Sequence, residues 1–220
     1  MKKIFPFIAP EGYPFIGIAL TLTIGIIHFF GPLWSLLPFA GLIFVIWFFR
    51  DPLRTVPPIS PEIKGEPVIS PADGKIVHIG NANEPRILKK DLQKISIFMS
   101  PLNVHVNRSP ISGKVLETHY HPGKFFNASL DKASLNNEAN AVLMESNRGI
   151  KMVFVQIAGF IARRILCYAK PGDTLEGGER IGMIRFGSRV DIYLPENAKI
   201  MVELRNKVKA GETILGYIPD

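Results

Sequence analysis

Two apolar runs without a single charged residue, residues 15–30 and 33–49, constrain this 220-residue chain more than any other feature. Gly31-Pro32 splits them, so the chain is expected to turn there. Sixteen helical residues rise only about 24 Å, against a hydrocarbon core of roughly 30 Å. A tight hydrophobic helical hairpin over residues 1–50 is therefore predicted, either spanning with local thinning or inserted from one side. A buried helical pair in a soluble core is the other reading, and the lack of a polar face argues against it. A cleaved leader fits poorly, because two apolar runs occur and no small-residue cleavage site stands out before Arg50. Lys2 and Lys3 precede the hairpin and Arg50 and Arg54 follow it, which puts both ends on the cytoplasmic face of a cell membrane.

From residue 51 to 67 the chain turns proline-rich, which excludes helix and central strand and reads as a linker. Residues 68–220 are predicted to be mainly β. Runs rich in Val and Ile at 75–79, 94–99, 114–120, 141–145, 151–157, 165–168, 180–184, 189–194 and 199–204 are separated by turn residues at short intervals. One near-repeat stands out. Gly172-Asp173-Thr174, followed by Gly182-Met183-Ile184, is echoed by Gly211-Glu212-Thr213 and Gly216-Tyr217-Ile218. The echo resembles the hairpins of biotinyl and lipoyl carrier domains, a compact β sandwich or barrel. The modified lysine of those carriers, set between two methionines, is missing here, so architecture is expected without the carrier's function.

Charge and chemistry narrow the function classes. A net charge of +7 suits an anionic partner. No nucleic-acid motif appears, and the apolar N-terminal half-hundred points to an acidic lipid surface instead. Cys167 is the only cysteine, so no intrachain disulfide framework exists, and its apolar run reads as a small buried hydrophobe. No Cys/His cluster has metal-ligand spacing, so no metal is expected. Asp73 sits in Ser70-Pro71-Ala72-Asp73-Gly74, ordinarily a turn. His105 alternates with Val104 and Val106, which puts it on the opposite face of a strand. His28, His78, His119 and His121 show no pattern that calls for chemistry. The paired Arg163-Arg164 meets either a phosphate or water.

Gly187-Ser188 lies between two buried runs, where a Gly-Ser pair is ordinarily a bend or bulge. The chemical alternative is that Ser188 attacks the uncrowded Gly187 carbonyl. The resulting ester breaks by β-elimination, and the dehydroalanine left at residue 188 hydrolyses to a pyruvoyl group.

The ordered set Phe49-Arg50-Asp51-Pro52 with Arg54, Ser70-Pro71-Ala72-Asp73-Gly74, residues 99–110, 132–140 and 156–164, and Phe186-Gly187-Ser188-Arg189-Val190-Asp191 resembles the phosphatidylserine decarboxylase family in its short bacterial and archaeal form. The resemblance covers nearly the whole chain. Two departures stand beside it. Longer members carry Leu-Gly-Ser-Thr where this chain has Phe186-Gly187-Ser188-Arg189, and a second histidine where this chain has Arg108.

The resemblance implies a proenzyme that cuts itself into chains 1–187 and 188–220, which stay together as a heterodimer. It implies Ser188, His105 and Asp73 as catalytic residues, with Asp73 supporting His105 as His105 deprotonates Ser188. The cofactor would be the pyruvoyl group made from Ser188, with no external cofactor. The substrate would be phosphatidylserine, decarboxylated to phosphatidylethanolamine at an anionic membrane surface, with Arg163 and Arg164 as headgroup contacts. Two rivals explain less. A non-enzymatic, membrane-anchored carrier-like module accounts for the hairpin and the echo but leaves Gly187-Ser188, Asp73 and His105 as coincidences. A Ser-His-Asp hydrolase lacks the Gly-x-Ser-x-Gly elbow around Ser188. Intact mass separates them: the decarboxylase reading predicts a small chain of 33 residues, 188 to 220, blocked to Edman degradation, and a single uncut chain in Ser188→Ala.

Overall fold

Pro14 stands in the first turn of a helix and Gly31 just past its end, the placement their backbone chemistry favours. A 3-10 turn, Pro10–Gly12, leads into α1, Tyr13–Phe30, and α2 follows as Leu36–Phe48. Gly31, at φ +85°, caps α1 by donating its N–H to the Ile27 carbonyl. The computed structural model describes residues 7–58, 65–126, 136–159, 164–185 and 187–219. It divides the chain into two compact units, Met1–Leu53 and Arg54–Asp220.

In the first unit the two helices pack on each other and turn their remaining apolar surface outward. Ile18, Phe29, Phe30, Trp34 and Leu37 are all more than two-thirds exposed. Such a surface is costly in water and at home in lipid. The buried hydroxyl of Thr23 in α1 is satisfied locally, Oγ1 donating to the Ala19 carbonyl at 2.7 Å. The helical stretch Pro10–Phe30 is long and apolar enough to cross a membrane, longer than the apolar run alone suggested. With 13 residues, α2 rises only about 20 Å and falls short. At its end Arg50 lies 4.0 Å over the Trp47 ring and donates to the Trp47 carbonyl. Lys2 and Lys3 lie outside the described residues.

The second unit is mainly β. Its large sheet contains β2 (Gly74–Glu84), β3 (Lys90–Met99), β5 (Gly113–His121), β6 (Ala139–Ser146), β7 (Lys151–Ala158), β9 (Thr174–Leu175), β11 (Ser188–Leu194) and β13 (Lys207–Val208). The order is β13-β2-β3-β11-β7-β6-β5-β9, antiparallel throughout and curled into a half-barrel. Two three-stranded sheets accompany it. One orders β4 (Val106–Arg108), β10 (Arg180–Ile184) and β8 (Ile165–Cys167) as β4-β10-β8. The other orders β1 (Glu66–Ile69), β14 (Ile214–Ile218) and β12 (Lys199–Ile200) as β1-β14-β12.

Alternation along β11 explains its central place. Val190, Ile192 and Leu194 enter the main core with Ile76, Ile97, Phe154 and Met144. Tyr193, on the other face, joins a smaller cluster with Val153, Val155 and Ile157. All seven residues of the strand are buried, which only a strand covered on both faces allows.

The run at 199–204 departs from the expected strand. Pairing stops at Ile200, Met201 and Leu204 are more than half exposed, and the chain turns through Arg205 at φ +72° to bring Lys207 beside Lys75. The echo noted in the sequence has a packing cause. Gly182 opposes Cys167 and Gly216 opposes Ile200, and a Cβ on either would run into a carbonyl oxygen of the neighbouring strand, Leu166 or Lys199. Gly182→Ala is accordingly expected to cost roughly 1–3 kcal/mol, as overpacking against rigid backbone does. Thermal unfolding should show a fall of several degrees in Tm.

Candidate active site

The start of β11 places Ser188 between Met99 on β3 and Ala158 on β7, with no exposed surface. Its hydroxyl lies 3.3 Å from Met99 Sδ. Gly187, just before it, has φ +66°, and a Cβ there would find nothing within 4 Å. Glycine adopts that left-handed conformation without steric cost. Phe186 lies outside the described residues.

His105 comes to this bond from the segment that becomes β4. It is fully buried, and so are its neighbours Val104 and Val106, so the alternation marks a packed approach to a strand, not one exposed face. Nδ1 lies 2.9 Å from the Asn103 carbonyl, and Nε2 lies 3.4 Å from the Gly187 N–H. That pattern assigns the proton to Nδ1 and leaves Nε2 as acceptor, beside the Gly187-Ser188 bond. Asn103 is itself held in a turn, its Oδ1 accepting from the Ser100 N–H at 2.9 Å and the Ser100 hydroxyl at 2.8 Å.

Asp73 stands in the turn before β2. Its carboxylate accepts from Arg54 Nη2 at 2.8 and 3.0 Å and from the Ala210 N–H at 2.8 Å. Arg54 Nη1 reaches on to Glu212 at 3.2 Å. One guanidinium therefore ties the proline-rich segment, the Asp73 turn and the 209–213 turn together. A cleft of about 470 Å³ is lined by Asp73, Gly74, Lys75, Phe98, Ser100, Asn103 and residues 207–209, so Asp73 and the turn that holds His105 share its wall.

The two departures find structural roles. Arg108 donates to the Gly178 carbonyl at 3.1 Å, bracing the turn before β10. Arg189 points away from Ser188, onto the opposite face of β11, and is only 1 % exposed. There its Nε pairs with Asp191 Oδ1 at 2.8 Å and its Nη2 donates to Oδ2 at 3.1 Å. Lys94 Nζ adds a contact to Asp191 at 3.3 Å. Burial, and then the Asp191 charge, push the nearby Tyr193 phenol well above its ordinary range.

Sequence reasoning missed the polar interior beside Ser188. Gln156 and Asn107, both fully buried, are joined by a 2.9 Å hydrogen bond from Gln156 Nε2 to Asn107 Oδ1, and Asn107 Nδ2 lies 3.7 Å from Met99 Sδ. Gly182 makes room for this pair, since a Cβ there would stand 3.1 Å from Gln156 Nε2. Cys167 is nearby, and burial pushes its thiol up, against smaller opposing contributions from Ala169 and Asn140. That suits a packed thiol better than a nucleophile. Arg164 is exposed just before β8, Arg163 lies outside the described residues, and so do residues 132–135 of the 132–140 stretch. Among the described residues no group of three or more His, Cys, Asp or Glu is placed to hold a metal ion.

A half-barrel whose central strand begins at a buried Gly-Ser bond, with a histidine nitrogen turned to it, defines an enzyme domain. The family model for phosphatidylserine decarboxylase matches residues 42–216, and the chain belongs to that family. It is 47% identical over 217 residues to a phosphatidylserine decarboxylase proenzyme of Geotalea uraniireducens, covering 96% of this chain and 97% of that one. A proenzyme of the same name from Burkholderia mallei is 47% identical over 221 residues, with 98% and 97% covered. One from Syntrophotalea carbinolica is 48% identical over 214 residues, with 96% of each covered.

The Arg54–Asp73 pair generates a stability test. Its side chains are 8 % and 13 % exposed, and removing one partner of so buried a pair is strongly destabilising. Arg54→Ala should cost about 3 kcal/mol or more in urea unfolding. Lys209→Ala, which breaks an exposed 3.7 Å contact to Glu212, should cost less than about 1 kcal/mol.

Proposed function

We propose that this chain is a proenzyme that cuts itself between Gly187 and Ser188 and then decarboxylates phosphatidylserine to phosphatidylethanolamine. The observation that carries the reading is the buried His105 Nε2 at 3.4 Å from the Gly187 N–H. An imidazole that donates Nδ1–H to the Asn103 carbonyl presents Nε2, its acceptor nitrogen, to the Gly187-Ser188 bond, where a general base is needed. For that step the Ser188 hydroxyl swings from Met99 towards Nε2. Its oxygen attacks the Gly187 carbonyl, and the peptide becomes an ester. Removal of the Ser188 α-proton then expels the Gly187 carboxylate and leaves a dehydroalanine, whose imine tautomer takes up water and releases ammonia to give the pyruvoyl ketone. Chains 1–187 and 188–220 remain a heterodimer, because β11 is paired along both edges.

The surroundings of residue 188 fit a small ketone. The position is buried, polar amides stand close by, and the Gly187 side is open. The pyruvoyl group made from Ser188 supplies an electron sink for loss of a carboxylate from an amine-bearing substrate, and no external cofactor is needed. His105 returns the proton to the carbon that carbon dioxide leaves. Asp73, locked by Arg54 and the Ala210 N–H, steadies the turn beside Asn103 and so supports His105 at a distance that suits processing. Arg164, with Arg163, is a contact for the phosphate of the headgroup. Residues 1–50 hold the enzyme in the cell membrane with both ends cytoplasmic, residues 51–67 link them to the catalytic domain, 68–220, and the substrate stays in the bilayer.

General-base assistance is typically worth about 10²–10⁴ in rate. His105→Ala should therefore remain largely uncut on denaturing electrophoresis, whereas Asp73→Asn should cut slowly. In material reassembled from separately cut chains, His105→Ala should still be trapped on phosphatidylserine by borohydride yet release carbon dioxide slowly. Asp73→Asn in the same form should keep most of its turnover. Rapid self-cleavage in His105→Ala would remove the base from the scheme.

A further inference from the structure

Buried amides normally use both ends of the side chain, because a polar atom sealed from water without a partner is costly. Two amides on the inner face of the half-barrel break this rule. Gln156 has no exposed surface and Asn140 is 7 % exposed, yet among the described residues Gln156 Oε1 has no hydrogen-bond partner and Asn140 Nδ2 meets nothing stronger than the Cys167 sulphur. The two residues are register partners across β6 and β7, so both side chains stand on one face. That face is the one Ser188 occupies. Ser188 opposes Ala158, and Gln156 opposes Val190, the next inward residue of β11. Ala158, Phe154 and Val190 all lie in the inner core, whereas Val155 and Ile157 lie in the outer cluster.

The orphans differ in kind: Oε1 is an acceptor and Nδ2 a donor. Gln156 cannot turn freely to hide its own, because Nε2 is held by Asn107 Oδ1. We infer that Gln156 and Asn140 form the headgroup-reading wall of the site, Gln156 Oε1 accepting from the substrate's amine and Asn140 Nδ2 donating to its carboxylate. This rests on the proposed phosphatidylserine chemistry and names the residues that select the substrate.

Distance and charge both fit. Gln156 is diagonal to Ser188 across one strand spacing, roughly 7–8 Å between backbones, which the long amide side chain shortens to contact with a nitrogen bound for residue 188. Asn140 lies one strand further, about 10 Å from β11 at ~4.8 Å per spacing, beyond the amine and on the side where a carboxylate attached to the same carbon can point. Neither residue is charged. A neutral donor orients a carboxylate without the ground-state stabilisation that a guanidinium would add and that loss of carbon dioxide would have to undo. The product lacks the carboxylate and leaves Asn140 unmatched, so the same wall that selects the substrate favours release of the product.

The test uses the full, self-cut protein with its ketone reduced by borohydride, so that binding is read without turnover. Glycerophosphoserine and glycerophosphoethanolamine are titrated by calorimetry. The unsubstituted protein should prefer the serine compound by about tenfold. Asn140→Leu should bring that preference close to one while holding the ethanolamine affinity within about twofold. Gln156→Leu should weaken both compounds alike, by about fivefold or more, because both carry the amine. Asn140→Asp and Gln156→Glu keep the side-chain shape and decide the matter if either leucine variant loses its thermal transition. The first should reverse the preference by setting an anion against the carboxylate, and the second should tighten the ethanolamine compound. A serine preference absent from the unsubstituted protein, or one that survives both Asn140 substitutions, overturns the assignment. Loss of carbon dioxide from phosphatidylserine by intact protein is scored separately, and its absence would sink the proposed function instead.

Discussion

Desolvation of polar groups is the constraint on which the catalytic unit turns. Ser188, His105, Asn107 and Gln156 all lie out of reach of water at one end of a β half-barrel, where an unmatched polar atom is expensive. The fold answers with local devices. A two-residue reach from Asn103 takes the imidazole, a methionine sulphur sits against the serine hydroxyl, and a glycine on β10 clears space for an amide pair. Each device depends on backbone geometry from a different strand, so the polar end of the barrel is specified by the sheet as a whole.

Much of this was legible in the sequence, and the reason is periodicity. The Val- and Ile-rich runs give most strands of the large sheet but not their order, and the Gly-x-Ile echo marks two strands that press on a neighbour's backbone. The gap at Gly31-Pro32 locates the helix break. Ser188 and His105 stood out because their neighbours carry a recognisable ordered pattern. What stayed hidden was long-range pairing of residues with no period. Arg54 lies in a proline-rich stretch, and nothing nearby announces a carboxylate partner 19 residues on. Gln156 reads as one polar residue in an apolar strand, and its partner Asn107 is 49 residues away. The run at 199–204 misled because residue type alone cannot report that pairing stops at Ile200.

The two faces of β11 divide the labour. Inward, the strand presents a hydroxyl and then aliphatic side chains to the core. Outward, Arg189, Asp191 and Lys94 build a buried ion cluster against the sheet. Charges this deep give little net stability compared with well-packed apolar residues. They do penalise any slip of register, since moving β11 by one residue would turn the ion cluster into the core and the serine out of it. Position 189 thus bears on the chemistry proposed at 188 by holding the strand still.

The central position of β11 has a consequence for how such a molecule ages. Residues 188–220 supply the middle strand of the large sheet together with β12, β13 and β14. In the proposed cut form, with the backbone broken before Ser188, the fragment would be retained by packing and ladder hydrogen bonds alone. Its escape is a first-order event, but its return is second-order and depends on concentration. In dilute solution the folded state then persists because departure is slow, and its durability becomes a lifetime instead of an equilibrium constant.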